Sequence, residues 1–281
     1  EIGLLVAAPL LGGALVRIPI GIWVDRVGPK RVGIWGQIGV LIALAGAWLF
    51  ASDFPGLLGW GLLLGIAGGS FAVALPLVSR WYPPERQGVV LGIVGAGNGG
   101  TVLANLVAPR LAEAFGWRSV FGLALWPAGF ALLAFLLGAR ENPKKAKQGT
   151  NPFSFSLFKE PDALWLSLLY AIVFGGFVGL ASFLGIFFHE EYGVSRVAAG
   201  SLSAVCLLGG SAARPLGGYL ADRWGGVEVL RLVFVLAAAF LGVASTLLPH
   251  GATMWLLIFG VASLGLGSGA VFQLVPQRFP D

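Results

Sequence analysis

Charge is what this sequence has least of. Only 11% of its residues are Asp, Glu, Lys or Arg, while 57% are hydrophobic and the mean hydropathy is +0.87. A globule in water could not cover such a chain with polar surface, so a soluble fold is excluded and lipid is the solvent. Cysteine is nearly absent: Cys206 stands alone, which rules out an intrachain disulfide and leaves the redox compartment unmarked. The two histidines, His189 and His250, fall near the ends of apolar runs, and no group of side chains has metal-ligand spacing. No Gly-x4-Gly-Lys-[Ser/Thr] phosphate loop occurs, no cofactor is implied, and no nucleophile-base-acid set points to an enzyme. The sequence also has no basic stretch before its first apolar run and no small-residue cleavage site after it, so that run does not read as a signal peptide.

Apolar runs are abundant. They define nine spans, near 2–24, 32–51, 56–79, 88–108, 119–138, 164–187, 197–220, 229–248 and 253–276. Each is too long for a strand of a membrane barrel and lacks its alternation, so an all-α polytopic bundle is expected. The longest polar stretch, Ala139 to Asp162, carries Glu141, Lys144, Lys145, Lys147, Lys159 and several prolines. It reads as a linker, 139–163, between an N-terminal half, 1–138, and a C-terminal half, 164–281.

The halves repeat. An offset of 197 residues carries Gly12-Gly13-Ala14-Leu15-Val16-Arg17 onto Gly209-Gly210-Ser211-Ala212-Ala213-Arg214. The same offset carries Gly21, Asp25, Arg26 and Gly28 onto Gly218, Asp222, Arg223 and Gly225, and Tyr82-Pro83 onto Phe279-Pro280. Applied to the spans, it puts the partner of 164–187 before residue 1 and the partners of 88–108 and 119–138 beyond residue 281. The expected parent architecture is two halves of six helices, of which these nine are the second to the tenth.

Alternating the loops places thirteen Lys and Arg residues on one side, with Arg110, Arg118 and Arg196 on the other, so the first side is expected to be cytoplasmic and to hold the linker. The net charge of +5 is then a topology signal, with a weaker claim on anionic lipid and none on nucleic acid.

Two positive charges lie outside that count. Arg17 and Arg214 each interrupt a span, where a charge costs at least ~2.5 kcal/mol on insertion scales. All thirteen acidic residues fall in loops or at helix mouths, so no carboxylate within the spans is placed to neutralise either arginine. Each stands eight residues before an Asp, Asp25 or Asp222. That is about 12 Å along a helix, near the middle of a ~30 Å core and too deep for easy snorkelling. If both Asp residues mark the same mouth, the guanidiniums reach equal depth from opposite halves and can converge on one cavity. A planar, always-charged fork suits an oxyanion.

The loop Gly21-Ile-Trp-Val-Asp25-Arg26-Val-Gly28-Pro-Lys30-Arg31 resembles the G-x3-D-R-x-G-x-[KR]-R signature of the major facilitator superfamily, echoed at Gly218-Tyr-Leu-Ala-Asp222-Arg223-Trp-Gly225. Gly92-Ile-Val-Gly95-Ala-Gly97-Asn98-Gly99-Gly100 is similar to the nitrate signature of the fifth helix in the nitrate/nitrite porter family. The resemblance implies a two-domain helical bundle in a bacterial inner (plasma) membrane that imports nitrate, exports nitrite or exchanges the two, with proton symport as the other coupling. These nine helices by themselves are not expected to transport. Arg17 and Arg214 would bind the anion; Asn98 would hydrogen-bond it; Phe71, Tyr170 and Phe174 would sandwich it. Gly95, Gly97 and Gly99 would let the fifth helix slide past its neighbour. Asp25, Arg26, Asp222 and Arg223 would form a conformational latch, an Asp either capping a neighbouring helix or pairing with an arginine. Gln273, at the repeat position of Pro76, is a further candidate for the pathway. A carrier for another small anion, or an anion sensor that does not transport, is the alternative.

Overall fold

The computed structural model of the chain describes residues 2–141 and 160–278, so most of the expected linker lies outside the described residues. What is described is helical, and nine helices are long and apolar enough to cross a membrane. They are α1 (Ile2–Val27), α2 (Pro29–Phe50), α3 (Phe54–Ser79), α4 (Gln87–Phe115), α5 (Trp117–Gly138), α6 (Pro161–Tyr192), α7 (Arg196–Trp224), α8 (Gly226–Ala244) and α9 (His250–Arg278). Every window read from the sequence falls on one of these helices, although 229–248 overruns α8, which ends at Ala244, and 32–51 overruns α2 by one residue. Most extend a few residues past the window, because capping groups and polar end turns carry the backbone beyond the apolar run. The Asp53 side chain, for example, accepts from Gly56 N at 3.0 Å to open α3.

Hydropathy does not announce two interruptions. Gly65–Gly69 in α3 and Ala96–Gly99 in α4 tighten to a 3-10 helix. Both lie where glycines cluster and few side chains pack against the preceding turn to hold the wider α-helical winding.

The repeat survives in backbone detail. Gly28 between α1 and α2 has φ +96°, and its repeat partner Gly225 between α7 and α8 has φ +92°. Only glycine adopts that conformation without strain, so each permits an abrupt reversal between consecutive helices. Helix crossings repeat as well. A Cβ on Gly12 would run into Leu62 O of α3, and one on Gly265 of α9 would run into the carbonyl of Gly210 in α7.

Packing gathers the chain into two compact units: one of Glu1–Trp81 with Leu111–Ser154, the other of Tyr82–Arg110 with Phe155–Asp281. In the first unit, missing side chains on one helix receive rings from the next. Gly46 of α2 faces the Trp60 indole, Gly122 of α5 faces Trp48, and Gly33 faces Phe135. Helix α5 has no buried residue, and Trp126 on it is 80% exposed, as suits a face turned to lipid. The second unit has the denser core, with Phe177, Phe188, Leu207 and Val261 buried where α6, α7 and α9 meet. Its closest seam joins α7 to α9 at Gly210 against Gly265 and Gly217 against Leu266.

Gly265→Val drives a side chain into the α7 backbone and is expected to destabilise the protein by about 3 kcal/mol or more, at the upper end of overpacking costs. Gly242→Ala, where a Cβ meets open space, should be neutral or gain up to about 1 kcal/mol from helix propensity. Thermal unfolding in detergent compares the two.

Candidate functional site

Arg214 is the largest side chain the fold buries completely, at 0% exposure, and it sits in the middle of α7. Its neighbours are neutral. Nη1 donates to Gly95 O at 3.0 Å. The Asn98 carboxamide, oriented so that its oxygen faces the guanidinium, accepts from Nη1 at 2.6 Å and Nη2 at 2.9 Å. The charged carbon lies 4.5 Å from the ring centroid of Phe177 and 5.4 Å from that of Phe174. Both distances are within cation–π range. Tyr170 stacks on Phe174 at 4.9 Å and 6°, and Phe272 closes on Tyr170 at 5.5 Å. Among the described residues no carboxylate comes within ion-pair distance of Arg214.

Arginine has five donors. Asn98 takes the fork between Nη1 and Nη2, and Gly95 takes the outer Nη1 hydrogen. The other side of the guanidinium, Nε with the second Nη2 hydrogen, is left to something else, and Nε is buried without a partner among the described residues. Two parallel N–H groups on one planar edge match two oxygens of a carboxylate, nitrate or nitrite.

Glycine makes this arrangement possible. A Cβ on Gly95 would lie 3.3 Å from Arg214 Cδ and 3.1 Å from the Phe272 ring, and one on Gly92 would lie 2.8 Å from Arg214 O. Gly97 and Gly99 have nothing within 4 Å of such a Cβ, so of the three expected sliding glycines only Gly95 makes a close contact here. Toward the Gln87 end of α4, Gly88 and Gly218 let the backbones meet, and Asp222 Oδ2 accepts from Val89 N at 2.9 Å. Arg86, at the N-cap position of α4, supplies no side-chain cap. Asp222 therefore caps a helix of which it is not part, setting a carboxylate against exposed N–H groups and the positive end of the dipole. Arg223 is exposed.

In the first unit Arg17 is half-buried, and its Nε donates to Gly68 O at 3.1 Å. Phe71, also half-buried, follows three residues later on α3. Asp25 approaches Arg80 at 4.0 Å with side-chain exposures of 60% and 27%, a surface pair, and Arg26 is exposed. Gln273 is buried at 2% exposure, with its Oε1 near Gly226.

The structure thus brings Arg214, Asn98, Gly95, Tyr170 and Phe174 together in one unit, while Arg17 and Phe71 belong to the other. Sequence reasoning missed Phe177 and Phe272. The first was within reach, since Phe174 and Phe177 share a helix face three residues apart. Phe272, on another helix, left no local signal.

Comparison with known proteins is consistent along the chain. A family model described as Major Facilitator Superfamily matches residues 1–281. The nitrite extrusion protein of Bacillus subtilis is 35% identical over 285 residues, covering 99% of this chain and 70% of its own length. A probable nitrate/nitrite transporter of Mycobacterium tuberculosis, NarK2, is 33% identical over 287 residues, covering 100% of this chain and 72% of its own. Among solved structures, the human organic anion transporter MFSD10 superposes with a TM-score of 0.68 at 20% identity, over 96% of this chain and 73% of that one, a likeness of fold. By this combination of whole-chain matches, the chain belongs to the major facilitator superfamily and, within it, to the nitrate/nitrite porters, a family of membrane transporters and not of enzymes.

Proposed function

We propose that the protein carries nitrate and nitrite across a bacterial plasma membrane by alternating access, binding the anion between Arg17 of one half and Arg214 of the other. The observation that carries this reading is the buried Arg214 guanidinium, whose partners are all neutral and whose Nε is unpartnered among the described residues. A charge kept at midplane without a carboxylate is tolerable around water or a bound anion. The shared offset of 197 and the shared eight-residue spacing to Asp25 and Asp222 support equal depth for Arg17. The names of the relatives supply the substrate class, nitrate and nitrite.

In this mechanism the halves 1–138 and 164–281 rock about the site, with the 139–163 linker on the cytoplasmic side where most basic loop residues fall. Exchange of one monovalent anion for another moves no net charge and needs no titratable carboxylate in the pathway. Counterflow tests this directly. With all twelve expected helices present, proteoliposomes loaded with nitrite should take up labelled nitrate at a rate insensitive to clamped voltage and to pH. Uptake that requires a pH gradient and no internal anion would replace exchange with proton symport, and no flux of either ion would sink the reading.

Arg214→Lys keeps the charge but loses the fork, so nitrate affinity should fall by about a hundredfold, a cost of roughly 3 kcal/mol at the top of the range for charged hydrogen bonds. Arg17→Lys should behave alike. Titration calorimetry of the folded variants reads this, and near-normal affinity in both would rule out a bidentate site.

The latch at α4 is separable from binding. Asp222→Ala removes a helix cap worth about 0.5–2 kcal/mol and should slow counterflow while leaving nitrate affinity within about twofold. Equal losses in flux and affinity would place Asp222 in the binding site.

A further inference from the structure

Four serines are buried among the described residues: Ser203, Ser211, Ser263 and Ser268. Three of them turn the hydroxyl back onto their own helix, to Ala199 O at 2.8 Å, Phe259 O at 2.8 Å and Leu264 O at 3.1 Å. That is the usual refuge of a serine in an apolar helix. Ser211 does not take it. Its side chain is buried at 3% exposure, and its Oγ has no hydrogen-bond partner among the described residues.

Ser211 stands three residues before Arg214 on α7, so the two share a face and their Cβ atoms lie about 5–6 Å apart. A helical side chain leans toward the N-terminus of its helix, which carries the Arg214 stem back toward Ser211. The antiparallel contacts of α4 and α7, Gly88 with Gly218, Gly92 with Arg214 and Asn105 with Gly200, set a register that brings Ser211 beside the Gly95–Asn98 segment. Pro215 adds to the polar demand. It has no N–H to give to the Ser211 carbonyl, its i−4 acceptor. An unused hydroxyl and the unused Nε–H of Arg214 thus occur one turn apart on one buried face.

We propose that Ser211 is a further anion-binding residue, whose hydroxyl donates to an oxygen of the anion that the Nε/Nη2 edge of Arg214 holds, and that it favours nitrate over nitrite. This rests on the anion reading of Arg214 and deepens it. A fork engages two oxygens, which is all nitrite has. Nitrate has a third, and a neighbouring donor on the same face is placed for it. An unpaired hydroxyl in an apolar helix is otherwise a cost, so its burial is accounted for when the anion arrives.

The test compares wild type, Ser211→Ala and Ser211→Thr by titration calorimetry with sodium nitrate and sodium nitrite, alongside anion-free thermal unfolding. Ser211→Ala should weaken nitrate binding about tenfold, the loss of one hydrogen bond to a charged group, and nitrite binding less than about threefold. Ser211→Thr, which keeps the hydroxyl, should restore the nitrate preference. The anion-free melting temperature of Ser211→Ala should not fall, since no hydrogen bond is lost. An unchanged nitrate-to-nitrite ratio in Ser211→Ala, with wild type binding both ions, would overturn the role of Ser211 and leave the Arg214 site standing. A fall in anion-free stability with no change in ratio would show a packing role and overturn it too. Absence of binding of either ion by wild type would remove the underlying reading, and this inference with it.

Discussion

Burying a guanidinium in an apolar bundle without a carboxylate beside it constrains everything around Arg214. An ion pair would neutralise the charge but would also occupy the fork permanently. Neutral partners share the load instead. Gly95 O and the Asn98 carboxamide take three of the five N–H bonds, and the faces of Phe174 and Phe177 screen the charge without offering a lone pair. What remains is one edge of the fork. The charge is thus held firmly enough to stay buried, yet stays electrostatically unsatisfied.

That division dictates the α4–α7 seam. A carbonyl of α4 can meet the arginine of α7 only if no Cβ intervenes, hence glycine at 88, 92 and 95, with Gly218 opposite. Backbones this close leave the first N–H groups of α4 facing the end of α7, and Asp222 supplies their acceptor. Helix α4 belongs by chain order to the first half, yet Tyr82–Arg110 packs with the second. On the proposed mechanism, rocking of the halves would shear a seam built largely from glycine, which is smooth enough to slide, and would trade the Asp222 cap for water.

How much of this the sequence disclosed depended on whether the signal was local. A run of about 20 apolar residues is its own evidence, so all nine helices were legible, and the offset of 197 matched Gly28 with Gly225, both of which turn out to have positive φ. Arg17 and Arg214 stood out because a charge in a span is expensive. The packing around them was not legible. Phe272 reaches Tyr170 from a helix about a hundred residues away in sequence, and nothing in the composition of Gly65–Gly69 or Ala96–Gly99 distinguishes a helix that tightens from one that merely packs closely. The Asp222 cap was open for a similar reason, since sequence offered both a helix cap and an ion pair; the structure shows the cap at Asp222 and the ion pair at Asp25.

The glycine clusters and the arginines, met as separate features of the sequence, turn out to be one device used twice. Arg17 donates to Gly68 O, inside the tightened Gly65–Gly69 segment of α3; Arg214 donates to Gly95 O, immediately before the tightened Ala96–Gly99 segment of α4. In a regular α-helix an interior carbonyl is already committed to the N–H four residues on, and side chains crowd its approach. Changing the winding to 3-10 redirects those carbonyls, and glycine clears the way to them. Each arginine can then be anchored through backbone oxygens. A carboxylate anchor would have neutralised the charge; a backbone anchor adds no ionisable group and leaves the charge in place. The repeat kept the arginine in both halves, and both are anchored by a glycine carbonyl where a helix tightens.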